Sequence, residues 1–376
     1  MKILFFIFHG FSPYSGVSRK IIGQVDGLRK NGHDVDICHY DILPDGHHCR
    51  MINDDVLEDF GTGLKASIKR RIYYGAVVDY ILTHNVELIY IRSFNNADPF
   101  IIHFLKKLKQ HGIKAIMEVP TYPYDHEYKG YSFAEKAGLE IDKIFRRSQA
   151  RQLLRIVTFS EADNIFGIKT IKISNGIDFK SIHIKDKIRK TPSPFNLIGV
   201  AEVHYWHGFD RIISGMGEYY KRNMGREVYF HIVGGVGASE QSLFDDIISR
   251  YSIKKYIIFH GELFGEKLDE LFEKADFAVA SLGRHRTGID KIKTLKNREY
   301  AARGIPFVYS ETDSDFDDKN YIMKAPADDS PIPIKCILDF YDSHSFDPGE
   351  IRESVTHLDW KIQMGRVIDY IKENQI

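Results

Sequence analysis

The chain of 376 residues is longer than one ordinary domain, so two domains are the natural expectation. Lys plus Arg and Asp plus Glu number 52 each, and this balance argues against a dedicated nucleic-acid-binding protein, which would carry a basic excess. The three cysteines, Cys38, Cys49 and Cys336, make no disulfide framework and indicate a reducing, cytoplasmic environment.

The apolar run that opens the chain, MKILFFIF at residues 1–8, has the lysine and hydrophobicity of a signal peptide. It stops at His9 and Gly10 without a small-residue cleavage site, so we predict a buried first strand instead. No stretch approaches the roughly 18 apolar residues of a membrane span. We therefore expect a protein that contacts membranes at most peripherally.

Apolar strands alternate with amphipathic helices along the chain, which predicts parallel sheets covered on both faces. Strands are predicted at residues 2–8, 35–39, 88–91, 114–118, 156–159 and 172–173, and again at 195–200, 228–233, 257–260, 277–280 and 306–309. Helices are predicted at 17–31, 99–111, 209–223, 266–274 and 350–373. The fold class is therefore α/β, with two Rossmann-like doubly wound domains.

The charged, proline-bearing stretch KDKIRKTPSP at residues 185–194 indicates an interdomain linker. We accordingly place an N-terminal domain at residues 1–187 and a C-terminal domain at 188–349, with a helix at about 350–376 packing back on the first. Ligands of such sheets bind beyond the carboxyl ends of the strands, and two facing domains would put that crevice between them.

Glycines and histidines that follow predicted strands are candidates for ligand binding. Gly16 opens a helix after the first strand, where it permits close approach of a phosphate or marks a plain tight turn. Gly235 follows another strand without the G-x-G-x-x-G spacing of a dinucleotide site. His204 and His207 are spaced as a metal pair, but no cysteine or carboxylate pattern completes it, so ligand hydrogen bonds or loop packing explain them better.

The stretch SLGRHRTGIDKIKTLKNRE at residues 281–299 concentrates cations directly after a predicted strand. Its basic residues are Arg284, Arg286, Lys291, Lys293, Lys296 and Arg298. A solvated basic loop is the ordinary explanation of such a run. Its place at the carboxyl end of a strand favours another, in which cations stabilise a pyrophosphate leaving group and Glu299 accepts hydrogen bonds from a ribose diol.

Two further loops carry side chains that suit a sugar or a metal. MEVPTYPYDHE at residues 117–127 offers Glu118, Tyr122, Tyr124 and Asp125 to a sugar, with a proline-rich structural loop as an equal alternative. ETDSDFDD at residues 311–318 imitates a D-x-D metal motif. Because it follows a strand of a doubly wound sheet, we predict an acidic surface loop there and no metal site.

The chain resembles the group 1, or family 4, glycosyltransferases of the GT-B fold, through the order and spacing of six pieces rather than any one of them. These pieces are SGVSRKI…LRKNGHDV, TFSEAD…IKISNGID, WHGFDRII, YFHIVGGVG, IIFHGEL…KLDELFEKADFAVASL and NREYAARGIPFV. The resemblance implies two Rossmann-like domains facing across a cleft. It also implies metal-independent transfer of a sugar from a nucleotide-diphosphate sugar to a hydroxyl, with retention of configuration and no other cofactor.

The expected partners are therefore a nucleotide sugar and a glycan or lipid-linked glycan acceptor, in surface polysaccharide or glycoconjugate biosynthesis.

Similar enzymes hold the diphosphate with an Arg and a Lys, whose positions here are Glu202 and His207. They also carry two glutamates eight positions apart; Glu299 matches the second, and Lys291 replaces the first. We expect the cations to have moved to residues 285–296. The predicted site residues are Lys296, Arg286 and Glu118 as catalytic, Gly16, His204, His207, Gly235, Lys291, Lys296 and Glu299 for the donor, and Tyr122, Tyr124 and Asp125 for the acceptor.

Several alternatives stay open at this point. The departures at Glu202 and Lys291 also fit a catalytically inactive sugar-binding or scaffolding subunit. A phosphorylase or an epimerase would share the same two-domain cleft. The basic stretch KASIKRR at residues 65–71 either places the first domain against an anionic membrane that carries a lipid-linked acceptor or forms a solvated helix face.

Overall fold

The computed structural model of the protein describes residues 1–12, 15–94, 96–125, 133–222 and 225–373. The chain divides into two compact units. The first unit comprises Met1–Gly176 and Trp360–Ile376, and the second comprises Ile177–Asp359. In these described ranges, no helix combines the length and the apolar character that crossing a bilayer requires.

Strands form one sheet in each unit, and apolar runs explain most of them. The strands of the first unit are β1 (Lys2–Phe6), β2 (Asp34–Ile42), β3 (His48–Ile52), β4 (Asp55–Asp59), β5 (Leu88–Arg92), β6 (Lys114–Val119), β7 (Arg155–Thr158), β8 (Asn164–Ile165) and β9 (Ile168–Lys172). Those of the second are β10 (Phe195–Val200), β11 (Val228–Val233), β12 (Ile257–Gly261), β13 (Phe277–Val279), β14 (Phe307–Tyr309) and β15 (Ile322–Lys324).

Helices connect the strands and cover the sheets. They are α1 (Gly16–Lys30), α2 (Gly63–Ile72), α3 (Gly75–Thr83), α4 (Pro99–Gln110), α5 (Phe133–Ala150), α6 (Phe209–Lys221), α7 (Ala238–Tyr251), α8 (Glu266–Lys274), α9 (Leu295–Arg303), α10 (Ile334–Ser343), α11 (Pro348–Glu353) and α12 (Trp360–Glu373). Local sequence explains their ends: α4 starts because the Asp98 carboxylate accepts the N–H groups of Phe100 and Ile101, and Gly112 follows its end with a φ of 77°.

The first sheet winds outwards in both directions from β1. Its strand order is β4-β3-β2-β1-β5-β6-β7-β9-β8, and β1 pairs in parallel with both β2 and β5. The crevice at the carboxyl ends of β1 and β5 is therefore a topological switch point. The antiparallel strands β3 and β4 were not predicted, because charged residues such as Arg50 and Glu58 interrupt their apolar pattern.

The second sheet is parallel throughout and has the order β12-β11-β10-β13-β14-β15. Counted from β10, this is the 3-2-1-4-5-6 order of Rossmann sheets. The order reverses between β10 and β13, so the crevice outside the carboxyl ends of these two strands is the expected ligand site of this unit.

The first unit ends at Gly176, whereas the sequence predicted residue 187. The segment that follows belongs to the second unit because hydrogen bonds attach it there. The Ile177 N–H donates to the Leu358 carbonyl at 2.8 Å, and the Lys185 ammonium donates to the Phe272 carbonyl at 3.1 Å. Composition alone placed the boundary too late, since a charged, proline-bearing stretch can still be docked on a domain.

Trp360 attaches the C-terminal helix α12 to the first unit. Its buried side chain packs against Gly23 of α1 and against Gly176, and a Cβ on either glycine would overlap the indole ring. A Cβ on Gly27 would lie 2.6 Å from the Trp360 carbonyl oxygen. The helix predicted at residues 350–373 is divided into α11 and α12, because the chain turns between them.

We expect Gly23→Ala to lower the free energy of unfolding of the first unit by about 2 kcal/mol, because the added methyl overpacks the contact with Trp360. Gly138→Ala is the matched control: this glycine also lies inside a helix, and no described atom comes within 4 Å of its added Cβ. It should raise stability by about 0.5–1 kcal/mol. Urea unfolding curves of both variants test the difference, and equal effects would contradict the Trp360 contact.

Candidate functional site

Two loops leave the second sheet at the point where its strand order reverses. The Leu282 N–H after β13 donates to the His207 carbonyl after β10 at 2.9 Å, and the Gly283 N–H donates to the Trp206 carbonyl at 3.2 Å. Gly208 permits the contact: its φ is 65°, and a Cβ there would lie 2.7 Å from the Leu282 carbonyl carbon. The two loops therefore form one continuous rim of the crevice.

Arg286 fixes this rim. Its guanidinium donates to the Tyr205 carbonyl at 2.7 Å, to both carboxylate oxygens of Asp210 at 3.0 and 2.8 Å, and to Asp329 at 2.7 Å. These bonds use Nε, both N–H groups of Nη1 and one of Nη2. The structure thus gives Arg286 a positioning function, and its catalytic function stays a prediction.

The structure brings His207 and Lys296 together, although they are far apart in sequence. The His204 N–H donates to Nδ1 of His207 at 2.9 Å, so a neutral imidazole carries its hydrogen on Nε2. This Nε2 lies 2.9 Å from the Lys296 Nζ. An N–H group facing an ammonium would be repulsive, so this contact is favourable when Lys296 accepts the hydrogen bond as an uncharged amine.

Electrostatics bring that uncharged state close in free energy to the charged one near neutral pH. Burial lowers the pKa of Lys296 to about 8, and the neighbouring Arg284 lowers it further in the same direction. Burial also holds the pKa of His207 well below its usual value. With both of its ring nitrogens engaged by His204 and Lys296, His207 is not arranged as a metal ligand. An anion that enters the crevice would restore the charge of Lys296 and attract it.

Glu311 is a site residue that the sequence did not reveal. It follows β14, its side chain is 2% exposed, and neither carboxylate oxygen has a hydrogen-bond partner within the described residues. Burial raises its pKa to about 7. Ser281 Oγ, after the neighbouring β13, is likewise buried and without a partner among those residues. The available signal in the sequence was a carboxylate directly after a predicted buried strand. The neighbouring D-x-D pattern indicated a metal motif or an acidic loop instead.

The other predicted donor residues of the second unit lie around the same rim or near it. The carbonyl of Gly235 accepts the Val203 N–H at 2.7 Å, next to His204. The backbone of Lys291 pairs with that of Thr312, directly after Glu311. Glu299 lies on α9, where its Oε1 accepts from Arg303 Nη2 at 3.2 Å. Donor binding by these residues stays a prediction.

The acidic stretch after β14 is only partly a surface loop, which corrects the prediction for residues 311–318: Asp317 and Asp318 are exposed, but Asp313 is buried. Asp313 is 1% exposed and accepts hydrogen bonds from the Arg298 guanidinium at 2.6 and 3.2 Å. Asp315 binds the same guanidinium. Arg298 is itself buried, so this cation of the predicted basic loop neutralises the acids and is not presented to a ligand.

In the first unit, Glu118 lies at the carboxyl end of β6 with no exposed surface. Its carboxylate accepts from Arg92 at 2.6 Å, Lys20 at 3.1 Å, Gln24 at 2.5 Å and the Tyr90 hydroxyl at 2.8 Å. Although burial raises its pKa, the charges of Lys20 and Arg92 outweigh it and lower the pKa overall. Glu118 is thus an ionised buried anchor, and a contact with substrate stays a prediction.

The remaining predicted residues of the first unit are partly engaged by neighbours. Tyr124 donates its hydroxyl to Asp142 at 2.7 Å, and Asp125 accepts from Arg146 at 2.8 Å. Tyr122 packs edge-on against Phe166. Gly16 begins α1, and the hydroxyl oxygen of the preceding Ser15 accepts the N–H groups of Val17 and Ser18, so these amides are already occupied.

Elsewhere in the described part of the chain, His183, Asp186 and Glu273 bring ligand atoms within 4.8 Å of one another. His183 and Asp186 are exposed, and the backbone N–H of Asp186 already donates to the Glu273 carboxylate at 3.2 Å. Glu273 lies in α8, which precedes the amino end of β13, whereas the crevice lies at the carboxyl ends of β10 and β13.

No protein-family model and no curated protein matches the sequence. Solved structures do match the fold along nearly the whole chain. A glycosyltransferase from Rickettsia africae ESF-5 aligns with a TM-score of 0.64 at 13% identity, covering 99% of this chain and 98% of that one. The pneumococcal O-GlcNAc transferase GtfA, in complex with UDP and GlcNAc, aligns at 0.61 and 12%, covering 99% and 98%. The catalytic domain of starch synthase IV from Arabidopsis thaliana, bound to ADP and acarbose, aligns at 0.61 and 13%, covering 98% of each chain.

The chain has the GT-B fold. In this GT-B chain the second unit carries the 3-2-1-4-5-6 sheet, and His207, Lys296 and Glu311 gather at its switch point. Glu311 has no hydrogen-bond partner within the described residues and Lys296 faces the neutral His207, whereas Arg286, Arg298 and Glu118 are paired with opposite charges. Buried polar groups without partners are uncommon in proteins and mark places where a ligand completes the bonding.

We expect Asp313→Ala to destabilise the second unit by about 3–5 kcal/mol, because it removes the main partner of the buried Arg298 guanidinium. Asp318→Ala, an exposed acid in the same stretch, should change stability by less than about 0.5 kcal/mol. Chemical denaturation measures both. A tolerated Asp313→Ala would show that the Arg298 pairing contributes little.

Glu311 should make folding stability depend on pH in a direction opposite to that of a paired acid. Its pKa is raised from 4.5 to about 7, so the folded state holds a proton that the unfolded state releases between these values, and stability falls as pH rises through that window. The total loss is about 3 kcal/mol. The free energy of unfolding of Glu311→Gln minus that of wild type should therefore be larger at about pH 8 than at about pH 4.5.

Unfolding curves at both pH values test this expectation. Glu202→Gln serves as the control because Glu202 is exposed, and it should change stability equally at the two pH values. Identical pH profiles for wild type and Glu311→Gln would show that the Glu311 carboxylate is not held in a water-excluded site.

Proposed function

We propose that the protein is a glycosyltransferase that moves a sugar from a nucleotide-diphosphate sugar to a hydroxyl of a glycan or lipid-linked glycan. The observation that carries the proposal is the cluster of half-buried Lys296 with buried His207 and Glu311 at the switch point of a Rossmann sheet, in which the Glu311 carboxylate has no hydrogen-bond partner within the described residues. The GT-B neighbours support it, since GtfA is described in complex with UDP and GlcNAc and starch synthase IV with ADP.

The chemistry that this cluster suits is departure of a nucleoside diphosphate. A phosphate that replaces the His207 hydrogen bond favours the charged form of Lys296, which stabilises the negative charge that develops as the glycosidic bond breaks. Glu311 can accept hydrogen bonds but, when ionised, cannot donate them, so it suits hydroxyls of the donor rather than its phosphates. Glu299 fits the ribose diol, and the glycine at 235 admits a close backbone approach.

We further propose retention of configuration, in which the donor's own phosphate assists deprotonation of the incoming hydroxyl, and operation without a metal or other cofactor. The setting that we propose is biosynthesis of a surface polysaccharide or glycoconjugate, by an enzyme on the cytoplasmic side that associates peripherally with the inner face of a membrane. Tyr122, Tyr124 and Asp125 remain our proposed acceptor residues.

A second candidate is an inactive sugar-binding subunit, which the exposed carboxylate of Glu202 favours at a position where similar enzymes carry a cation. Hydrolysis of a nucleotide sugar by the purified protein separates the two: the enzyme should release nucleoside diphosphate slowly without an acceptor, whereas an inactive subunit should only bind.

Lys296 gives the proposal a pH signature. Because the pKa of free Lys296 is about 8 and bound phosphates need its charged form, affinity for a nucleotide sugar should fall up to about tenfold per pH unit above that value. Lys296→Arg should bind without this decline, since guanidinium stays charged. Lys296→Ala should weaken binding about ten- to a hundredfold and slow turnover about a hundredfold or more.

Calorimetric titration of UDP- and ADP-sugars between about pH 7 and pH 10 provides the measurement. Lys267→Ala is the control, because Lys267 is exposed on α8 and should leave both the affinity and its pH dependence unchanged. A pH-independent affinity in wild type, or an unaffected Lys296→Ala, would remove Lys296 from the donor site.

A further inference from the structure

Helix α2 of the first unit exposes an apolar stripe flanked by cations. Leu64 is 78% exposed and Ile68 is 52% exposed, and their i, i+4 spacing aligns them on one helix face. Lys65 and Lys69 are exposed beside them, and the helix sequence GLKASIKRRI contains no acid. A helix in a water-facing position ordinarily presents polar residues on this face, so the stripe indicates an interaction surface.

The charges near α2 leave its cations available. In the adjacent strand β4, Glu58 pairs with Arg50 at 3.0 Å and Asp59 pairs with His47 at 2.8 Å. These acids are therefore committed to other partners. The exposed surface of α2 keeps a positive charge that is complementary to an anionic bilayer.

The same helix ends at a cavity of about 660 Å³, whose lining includes residues next to β1 and β5. The volume is that of a small-molecule site, and the position is the switch point of the first sheet. Arg70 and Arg71 supply cations from the last turn of α2, and Tyr40, Tyr74 and Phe94 supply aromatic surface. The lining also contains the carboxylate of Asp98, which accepts the N–H groups of Phe100 and Ile101. The wall therefore combines positive charge with apolar area beside an acid that is already hydrogen-bonded.

Arg70 is positioned to bind an anion. Its guanidinium stacks on the Tyr40 ring at 3.9 Å, and its buried Nε has no hydrogen-bond partner in the described ranges. Arg50, in contrast, is fully used: besides Glu58 it donates to the carbonyls of Tyr73 and Arg70, both at 2.7 Å. A planar guanidinium with unused donors fits the oxygens of a phosphate group.

We propose that α2 lies on an anionic membrane and that the adjoining cavity receives the phosphate-bearing end of a membrane lipid that carries the acceptor. The stripe of Leu64 and Ile68 enters the interface, Lys65 and Lys69 contact lipid headgroups, and Arg70 binds the phosphate against the aromatic wall. The binding of a lipid at this cavity does not depend on the proposed function. Its identification as the acceptor rests on the proposed glycosyltransferase activity.

Sedimentation with vesicles tests the membrane surface. The full chain should bind vesicles of phosphatidylcholine mixed with phosphatidylglycerol and not those of phosphatidylcholine alone. Lys65→Gln combined with Lys69→Gln should reduce partitioning about twenty-fivefold, since each cation near a bilayer contributes about fivefold. The matched control is Lys106→Gln with Lys109→Gln, two exposed lysines of α4. Equal losses in both pairs would mean a general charge effect and would overturn the assignment to α2.

The apolar stripe has its own control. Leu64→Ser with Ile68→Ser should weaken vesicle binding at least tenfold, whereas Ile144→Ser, which removes an isoleucine that is 70% exposed on α5, should not. Circular dichroism of the variants verifies that they are folded. Binding that is unchanged in the α2 double variant would show that the stripe does not enter the bilayer.

The cavity is tested with a soluble short-chain phosphatidylglycerol below its micellar concentration and with inorganic phosphate. We expect the phospholipid to bind at least tenfold more tightly than phosphate and Arg70→Gln to weaken it about tenfold or more. Phosphate that binds as tightly as the phospholipid would indicate a simple anion site, and an unaffected Arg70→Gln would place the lipid elsewhere. Both assays omit nucleotide sugar, so a failure of donor binding to Lys296 variants would refute the proposed function separately.

Discussion

The parallel pairing of β10 with both β11 and β13 is the constraint on which the candidate donor site depends. Right-handed crossovers send the chain to opposite faces of the sheet on the two sides of β10, so the loops after β10 and β13 diverge and leave a crevice. Hydrogen bonds from Leu282 and Gly283 then tie the two loops together, and Arg286 with Asp210 fixes them. The rim can therefore hold polar groups that remain incompletely bonded.

Buried charges have two distinct functions in this protein, and their hydrogen-bond partners tell them apart. Arg298 with Asp313 and Arg92 with Glu118 are neutralised pairs that hold elements in place, and losing one partner would strand a charge in an apolar environment. For Glu311 and Lys296 the effect of burial exceeds that of the opposite charges nearby, so the pKa of Glu311 rises and that of Lys296 falls. These groups lower the free energy of unfolding, as is common for residues of ligand-binding sites.

The first unit has a related topology but a different chemistry at its switch point. Its crevice adjoins arginines of α2 and aromatic rings, whereas the crevice of the second unit contains a lysine, a histidine and a carboxylate. The difference arises from the elements that lie between β2 and β5: the hairpin of β3 and β4 and the helix α2, which brings Arg70 to the cavity. Two similar frameworks can thus present surfaces suited to different partners.

The sequence by itself determined the alternation of strands and helices, because apolar runs and amphipathic periods are local properties. It also indicated the strand ends that carry His207, Gly235 and the cations of residues 284–298, since ligands of parallel sheets bind at those ends. It missed the hairpin of β3 and β4, whose charged residues hide the strand pattern. Its expectation of a surface loop at Asp313 was wrong, because nothing local shows that Arg298 is buried against that acid.

Only the tertiary structure decided which charges are available to a ligand. Arg284 to Arg298 look alike in the sequence, yet Arg286 and Arg298 are committed to acids while Lys296 faces His207. Glu311 stands beside a run of aspartates, and only the tertiary structure shows that it is buried without a hydrogen-bond partner within the described residues. The physical reason is that the burial of a group and the bonding of its oxygens or nitrogens depend on residues that are distant along the chain, so periodicity and composition specify the framework and packing selects the site.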